Sequence, residues 1–275
     1  MPSGNSFPIN PMTHRARKRF GQNFLHDYGV INDIISMINA QCSDHIVEIG
    51  PGKGALTREL VRQCRIMDII ELDRDLVTLL DAQFGHLTGM TIHSGDALNI
   101  NYSELAQSGE KLRIVGNLPY NVSTPLLFHL MEHASNIHDM HFMLQNEVVN
   151  RLCALPGSKI YGKLSIMMQY YCRAEKLFKV GAENFSPQPN VSSAIVRLAP
   201  YNHPHAQVDN FTIFKKLITQ AFSQRRKTLR NSIRLFLSED ELRSLDVDPE
   251  ARPETLTVRE FAQLSNLCNA NRTKS

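Results

Sequence analysis

The sequence predicts an α/β fold with a mainly parallel sheet, followed by a small all-helical domain. Between residues 45 and 155, apolar runs typical of buried strands alternate with amphipathic segments typical of helices. This alternation favours parallel strands that are covered by helices on both faces. Residues 199–209 then form a linker with two prolines, two histidines and no periodicity. The sequence therefore predicts two domains, at residues 1–203 and 204–275.

The individual elements follow from the spacing of their apolar residues. Residues 27–40 carry isoleucines and a valine at helical spacing and predict a helix. Strands are predicted at 45–50, 65–73, 111–117 and 138–145, a short strand with its exit loop at 90–98, and helices at 54–63, 74–84, 123–133 and 146–155. Residues 192–200 alternate apolar and polar side chains, which predicts a late strand at an edge of the sheet.

The tail of the chain predicts an amphipathic helix with a cationic side. When its residues are projected on a helix, the apolar ones share one stripe and the arginines share the adjoining arc. The apolar residues are Phe222, Leu229, Ile233 and Phe236, and the arginines are Arg226, Arg230 and Arg234. Such a helix can bury one face and present the basic one to a polyanion.

The composition favours a soluble protein of the cytoplasm. The chain is 42% hydrophobic and 21% charged, and no apolar run approaches the roughly 18 residues of a membrane span. The first 20 residues contain no apolar core of signal-peptide length. The five cysteines are scattered and contain no C-x-x-C pair, so we expect a reducing compartment, no disulfide framework and no metal site.

The formal net charge of +3 conceals a strong asymmetry. Eleven of the 30 lysines and arginines lie in two clusters, which leaves 19 basic against 27 acidic residues in the rest of the chain. Two solvated faces would explain the clusters, but their concentration favours contact with the phosphates of a nucleic acid. The residues predicted to bind RNA are Arg17, Lys18 and Arg19 in the first cluster and Arg225, Arg226, Lys227, Arg230 and Arg234 in the second.

A glycine-rich turn follows the strand predicted at 45–50. Gly50, Gly52 and Gly54 let the backbone turn tightly and approach a ligand closely at the start of a helix. The pattern is G-x-G-x-G, which differs from the G-x-G-x-x-G of dinucleotide enzymes. Glu71 ends the next strand, where an acid binds ribose hydroxyls in doubly wound folds. Asp96 follows the third strand and is placed to contact a base.

A polar loop, GNLPYNVS at residues 116–123, ends the fourth strand of the alternation. Asn and Pro suit an ordinary turn, which is one interpretation. The other is a site for a flat base, in which Asn117 offers its side-chain carbonyl and Leu118, extended because it precedes Pro119, offers its backbone carbonyl. Tyr120 would stack on one face of the base and Phe185 on the other, although core packing is a competing interpretation of Phe185.

The glycine turn, the two acids and the polar loop, in this order, are typical of Rossmann-like class I methyltransferases that depend on S-adenosylmethionine. The resemblance extends further, through RKRFGQNFL (17–25), VEIGPGKGALT (47–57), GNLPYNVSTPLLFHL (116–130), FSPQPNVSSAIVRL (185–198) and QRRKTLRNSI (224–233). Over about residues 14–265 the sequence resembles the small-subunit ribosomal RNA adenine dimethyltransferases, the family of the bacterial kasugamycin-sensitivity enzyme.

The resemblance implies an activity, a cofactor and a partner. Family members transfer methyl groups from S-adenosylmethionine to N6 of two adjacent adenosines in a hairpin loop near the 3′ end of 16S rRNA. Their preferred substrate is the immature small ribosomal subunit. The implied cofactor contacts are Asn23, Leu25, Gly50, Glu71, Asp96 and Asn117, together with Gly52 of the glycine turn. One departure is Ser192, where many members carry Asp, and we expect it to change the chemistry little.

Three other functions remain open at the level of sequence. An amino-methyltransferase of DNA or of a protein amide would usually carry Pro-Pro where this chain has Leu118-Pro119. A large-subunit rRNA methyltransferase shares the QNF and Asn-Pro-aromatic features, but the basic tail argues against it. An assembly factor of the small subunit, with methylation secondary, needs the same basic surfaces. A monomer without membrane attachment is expected.

Overall fold

The computed structural model describes residues 22–106, 109–119, 122–224 and 226–274, with side chains described up to residue 272. Its central sheet consists of β2 (His45–Ile49), β3 (Ile66–Glu71), β4 (Met90–Ser94), β5 (Leu112–Asn117), β6 (Ile137–Gln145), β7 (Cys172–Val180) and β9 (Ser193–Pro200). Two short strands, β1 (Phe24–Leu25) and β8 (Phe185–Ser186), pair with each other.

The order of strands across the sheet is β4–β3–β2–β5–β6–β9–β7. Strand β2 pairs in parallel with β3 and β5, β3 pairs in parallel with β4, and β5 with β6. Because parallel strands end at the same edge, the carboxyl ends of β2, β3, β4 and β5 lie side by side. The predicted α/β fold with a mainly parallel sheet is confirmed.

Helices alternate with these strands, as the sequence predicts. They are α1 (Tyr28–Ile38), α2 (Thr57–Leu60), α3 (Arg74–Phe84), α4 (Tyr102–Leu105) and α5 (Ser123–Glu132). Helix α3 has the predicted bounds, and it begins where the Asp73 side chain accepts a hydrogen bond from the Asp75 N–H at 3.2 Å. Helix α2 is shorter than the predicted 54–63, because Gly54 has φ +76° and cannot be part of an α-helix.

An apolar cluster attaches α1, α2 and α3 to the sheet. Ile38 of α1 and Phe84 of α3 are each 1% exposed, and they belong to the same cluster as Ile46 and Ile69 of the sheet. Burial of a side chain of this size contributes about 1.5–3 kcal/mol. This core fixes the strand ends, and therefore the positions of the polar residues that follow them.

The prediction of an edge strand at 192–200 is wrong. Strand β9 lies between β6 and β7, and it pairs with β6 in antiparallel fashion, with Phe142 opposite Val196. Ala194, Ile195 and Val196 are all buried, because an interior strand covered on both faces has no solvent side. Of its polar residues, Ser193 is itself buried and Arg197 is half-buried, so the alternation in the sequence does not mark a solvent-facing side.

The remaining helices are α6 (Asn146–Leu152), α7 (Lys163–Tyr171), α8 (Phe211–Ala221), α9 (Leu229–Ser232), α10 (Glu239–Ser244) and α11 (Val258–Lys274). Phe214 of α8 and Phe261 of α11 are fully buried. In the part of the chain that the structure describes, no helix is long and apolar enough to cross a membrane.

The amphipathic tail helix is only partly present. Within 222–236, the structure has the four-residue α9 between turns, and not one continuous helix over the described residues. The N–H groups of Leu229 and Arg230 donate to the carbonyls of Ala251 (2.9 Å) and Pro249 (3.1 Å), contacts that replace the bonds of a longer helix. The predicted division of faces holds in part, since Leu229 and Ile233 are fully buried, Phe222 and Phe236 are half-buried, and the described arginines of this segment are exposed.

Contacts within the chain define two compact units. The first contains the described residues up to Asn146 together with Leu177–Leu198, and the second contains Glu147–Lys176 and the chain from Ala199 onward. Helices α6 and α7 therefore group with the C-terminal helices, although they precede the linker at 199–209. The domain boundary at 203/204 stays a prediction.

Candidate active site

A cavity of about 390 Å³ lies at the carboxyl edge of the sheet, within the first unit. Strand pairing brings its walls together, since Ile49 stands opposite both Ile70 of β3 and Gly116 of β5. All the predicted cofactor and catalytic residues that the structure describes line this cavity. They are Asn23, Leu25, Gly50, Gly52, Glu71, Asp96, Asn117, Leu118, Pro119 and Phe185.

The glycine turn contributes Gly50 and Gly52 to the cavity wall, and close approaches leave no room for side chains at Gly52 and Gly54. Gly52 has φ +59°, and a Cβ atom on it would lie 3.0 Å from the Phe24 ring. Gly54 has φ +76°, and a Cβ atom there would lie 2.7 Å from the Phe84 ring. The Gly52 N–H faces the next strand end, where it donates to Glu71 Oε2 at 3.3 Å.

Glu71 ends β3 as predicted, and it is 7% exposed. Its Oε1 accepts a hydrogen bond from the Asp73 N–H at 2.9 Å. Burial raises the pKa of the Glu71 carboxyl, although the hydrogen bonds from Asp73 and Gly52 offset part of that effect. The carboxylate is thus held in one orientation at the rim of the cavity, where it can accept hydrogen bonds from a ligand.

Glu48 is a second acid in the cavity wall, and sequence reasoning missed it. It is 2% exposed, and its Oε2 accepts a hydrogen bond from Thr57 Oγ1 at 2.6 Å. Burial raises the pKa of Glu48 to about 7, with the Thr57 hydrogen bond lowering it and the charge of Glu71 raising it further. The signal in the sequence was an acidic residue between Val47 and Ile49, inside the buried strand HIVEI.

Asp96 caps the turn that follows β4. Its Oδ1 accepts a hydrogen bond from the Leu98 N–H at 3.0 Å, which holds the short 3-10 turn Ala97–Asn99. Ala97 and Leu98 line the cavity beside it, and Leu72, which is 51% exposed, lines it after Glu71. The three apolar residues were missed because single apolar side chains in the loops after strands carry no periodic signal.

The polar loop after β5 presents acceptors to the cavity. Asn117 Nδ2 donates to the backbone carbonyl of Asn23 at 3.1 Å, so the Oδ1 atom is left to accept. The Leu118 N–H donates to the Met143 carbonyl at 3.2 Å, while no described residue donates to the Leu118 carbonyl. Two acceptors therefore lie at the end of one strand. Tyr120 lies outside the described residues.

The short pair of β1 and β8 brings distant residues to the same cavity. Leu25 stands opposite Phe185, and Asn23 directly precedes β1. Phe185 is 4% exposed and belongs to the apolar core, although it also lines the cavity. Both interpretations of Phe185 thus find support, and its use as a stacking surface stays a prediction.

The predicted RNA-binding residues are exposed where the structure describes them. These are Arg226, Lys227, Arg230 and Arg234, whereas Arg17, Lys18, Arg19 and Arg225 lie outside the described residues. Arg230 differs from the others, because its Nη1 lies 2.7 Å from Glu250 Oε1 and 3.5 Å from Glu239 Oε1. Lys227 and Arg234 line a polar cavity of about 240 Å³ in the second unit.

The strand order and the cavity at the carboxyl edge of the sheet are those of a Rossmann-like fold. Comparison with known structures agrees: a dimethyladenosine transferase from Plasmodium falciparum superposes with a TM-score of 0.78 at 24% identity, covering 91% of this chain and 98% of that one. A 23S rRNA methyltransferase, ErmE, gives a TM-score of 0.71 at 22% identity, covering 90% and 100%. These likenesses establish the fold.

Sequence comparison is more specific. The family model "Ribosomal RNA adenine dimethylase" matches residues 13–270. A protein of Pseudomonas aeruginosa named ribosomal RNA small subunit methyltransferase A is 53% identical over 92% of this chain and 94% of its own length. A protein of the same name from Chromohalobacter salexigens is 48% identical over 96% of each chain. The chain belongs to the ribosomal RNA adenine dimethylase family, which confirms the resemblance and the enzyme class predicted from the sequence.

Proposed function

We propose that the protein transfers methyl groups from S-adenosylmethionine to N6 of two adjacent adenosines in a hairpin loop near the 3′ end of 16S rRNA. The reaction takes place on the immature small subunit and produces N6-dimethyladenosines. The observation that carries this proposal is a cavity that is lined both by the glycine turn with Glu71 and by the acceptor residues Asn117 and Leu118. A cofactor and a base can meet there.

The cavity suits S-adenosylmethionine by charge and by shape. Glu48, Glu71 and Asp96 line it, and a cluster of acids attracts a cofactor that carries sulfonium and ammonium charges. Glu71 would accept hydrogen bonds from the ribose hydroxyls, and Asp96 would contact the adenine. Asn23, Leu25, Gly50 and Gly52 would hold the methionine end near the glycine turn. The cofactor supplies an activated methyl group, and no metal takes part.

The acceptors at the end of β5 would promote attack by a poor nucleophile. The lone pair of the adenine amino nitrogen is delocalised into the ring, and positive charge develops on the nitrogen as it forms the new N–C bond. Asn117 Oδ1 and the Leu118 carbonyl would accept its two N–H groups and stabilise that charge, because they are oriented before the reaction begins. The methylated nitrogen then loses a proton to water, so a dedicated general base is not required.

The target base would be held by stacking after it leaves its own stack in the RNA. Bases in loops cost least to extract. Tyr120 and Phe185 would take its two faces, and such stacking contributes about 1–3 kcal/mol per base. Because Phe185 is only 4% exposed, its ring would have to become more accessible in order to stack on the base.

The basic residues of both clusters would bind the phosphates around the loop. Arg226, Lys227 and Arg234 are exposed, and the last two line a cavity together with the amide side chains of Gln220 and Asn231, which suits a nucleotide. Arg17, Lys18, Arg19 and Arg225 would extend this surface.

The small ribosomal subunit is the favoured partner. Relatives at 48–53% identity are named ribosomal RNA small subunit methyltransferase A, whereas the 23S rRNA methyltransferase is 22% identical. We propose a cytoplasmic monomer.

A methyl-transfer assay tests this function. Labelled S-adenosylmethionine is mixed with small subunits that lack the modification, with mature subunits, and with double-stranded DNA, and the nucleosides are identified by mass after digestion. The expected product is dimethyladenosine from the unmodified subunits alone. Label in DNA or protein would contradict the proposed rRNA substrate. Binding of the subunits without any transfer would favour the assembly-factor function instead.

A further inference from the structure

We propose that Tyr102 and His129 are positioning residues for the cofactor: each donates one hydrogen bond to the loop after β4, residues 95–100, and together they hold it in the form that receives the adenine. The inference rests on the proposed function, because it takes this loop to be the adenine site. Neither side chain belongs to the cavity wall, so both act through the loop.

The loop needs such support because its own hydrogen bonds fix only its first turn. Asp96 Oδ1 accepts from the Leu98 N–H at 3.0 Å, and the Asp96 carbonyl accepts from the Asn99 N–H at 2.9 Å. The carbonyl groups of Ala97 and Ile100 require donors from elsewhere, since an unpaired carbonyl in a partly buried loop costs free energy. Those donors decide where Asp96, Ala97 and Leu98 stand in the cavity.

Tyr102 supplies the first donor. Its hydroxyl donates to the Ala97 carbonyl at 3.0 Å, and the residue is fully buried. Burial, and to a smaller extent the charge of Asp96, raise the pKa of Tyr102 far above its ordinary value, so the hydroxyl remains protonated and able to donate. The contribution of Asp96 also shows that the Tyr102 hydroxyl lies close enough to this carboxylate, which is predicted to contact the base, for the two groups to interact electrostatically.

His129 supplies the second donor, from the helix that follows the polar loop. Its Nε2 lies 2.9 Å from the Ile100 carbonyl, which can only accept, so Nε2 carries the hydrogen. Leu126 and Val122, one and two turns earlier in the chain, line the cavity. Helix α5 therefore carries part of the cavity wall at its start and secures the adenine loop further along, which links the cofactor side of the cavity to the acceptor loop.

The two donors also support each other. The rings of Tyr102 and His129 pack edge to face, with centroids 5.7 Å apart and an interplanar angle of 63°. A change at either residue thus disturbs the ring that orients the other. We expect the effects of substituting both to be less than additive on a free-energy scale.

Conservative variants test the inference. Tyr102→Phe removes one hydroxyl, His129→Leu removes the donor with little loss of volume, and His129→Gln retains an N–H donor. The exposed His86, in the loop after α3, provides the control variant His86→Ala. Dissociation constants are measured by calorimetry for S-adenosylmethionine and for adenosine, which lacks the methionine end. The melting temperature and the KM and kcat of methyl transfer complete the set.

We expect Tyr102→Phe and His129→Leu to raise the dissociation constants of both ligands by about 3- to 10-fold, which corresponds to the loss of one hydrogen bond. The KM for the cofactor should rise by the same factor while kcat at saturation changes less than about two-fold. His129→Gln and His86→Ala should bind as the wild type does. If the dissociation constants of both ligands rise by the same factor, the affected contacts are those to the adenosine part, because adenosine has no methionine end.

Other outcomes decide against the inference in distinguishable ways. If Tyr102→Phe and His129→Leu bind adenosine like the wild type, the positioning role is wrong although the proposed function stands. A lower melting temperature without any change in dissociation constants shows a merely structural role. If wild-type protein binds neither ligand, the proposed function itself fails. Should His129→Leu not fold, Tyr102→Phe and His129→Gln still decide.

Discussion

The cavity at the sheet edge and the basic segment of residues 222–236 are both charged, but they hold their charges differently. In the cavity, Glu48 and Glu71 are nearly buried and accept hydrogen bonds from Thr57 and Gly52. In the basic segment, the described arginines and Lys227 are exposed. Charges in a buried site interact strongly and are screened little by salt, whereas exposed charges interact weakly and are screened. Substitutions should therefore have large, salt-independent effects in the cavity and small, salt-dependent effects in the basic segment.

The largest effect is expected for Asn117→Ala. The variant loses an acceptor that would face the developing positive charge, so kcat should fall about 100-fold or more, equivalent to about 2.7–4 kcal/mol. The measurement is the single-turnover rate on unmodified small subunits at two salt concentrations, and the ratio to wild type should not depend on salt. Asn150→Ala is the control, since this exposed amide accepts from Lys176 in the second unit. A decrease below ten-fold would contradict the role of Asn117.

A somewhat smaller effect is expected for Glu48→Gln, on stability rather than on catalysis. The pKa of Glu48 is raised from 4.5 to about 7 by burial, so the folded protein holds this proton more tightly than the unfolded chain does. As the pH rises from about 4.5 to 7, the unfolded chain loses this proton while the folded protein still holds it. The free energy of unfolding of the wild type therefore decreases progressively over this range, by roughly 3 kcal/mol at most. The glutamine variant retains an acceptor for Thr57 and avoids this cost.

Urea unfolding without cofactor, at about pH 5 and pH 8, measures this difference. The free energy of unfolding of Glu48→Gln relative to wild type should be larger at the higher pH. Asp68→Asn serves as a pH-independent control. Burial raises the pKa of Asp68, but hydrogen bonds from His45 and His93 more than offset this, so its pKa lies below the ordinary 3.8 and the carboxyl is ionised at both pH values. If the difference between Asp68→Asn and wild type changed with pH as that of Glu48→Gln does, the assignment of charge states would be wrong.

The smallest effects are expected in the basic segment, and they should differ within it. Arg226→Ala should weaken binding of the unmodified subunit several-fold and reduce the slope of log K against log salt by about one. Arg230→Ala should change the slope less, because Glu239 and Glu250 already neutralise that guanidinium. Filter binding over a range of salt concentrations measures both slopes, and calorimetry verifies that cofactor affinity is unchanged. Equal slopes for the two variants would show that the ion pairs of Arg230 with Glu239 and Glu250 do not reduce its contribution to RNA binding.

The residues at the strand ends were the most predictable part of the site. A parallel strand fixes where its last residue stands, and Gly50, Glu71, Asp96 and Asn117 follow four strands that pair in register. Hydrophobic runs of five or six residues are enough to locate such ends. Glu48 was missed for a related reason: it lies inside a strand, where a buried acid looks like an exception to an apolar pattern.

The basic segment was less predictable because its helix depends on partners distant in sequence. The 3.6-residue period correctly separates buried from exposed side chains, but it does not determine whether the backbone N–H groups bond within a helix. Here Leu229 and Arg230 donate to Ala251 and Pro249, so the helix is limited to four residues. The interior position of β9 is a similar case, since strand order is set by the whole sheet.

The sequence by itself determined the parallel α/β fold, the family and the order of the polar residues along the cavity, because strand periodicity and glycine turns are local properties of the chain. Only the tertiary structure decided how those residues are held. It places the Asn23 carbonyl against Asn117 across 94 residues of sequence, and it brings Glu239 and Glu250 to Arg230. Hydrogen bonds and ion pairs between distant segments depend on how the core packs, and no local pattern encodes that packing.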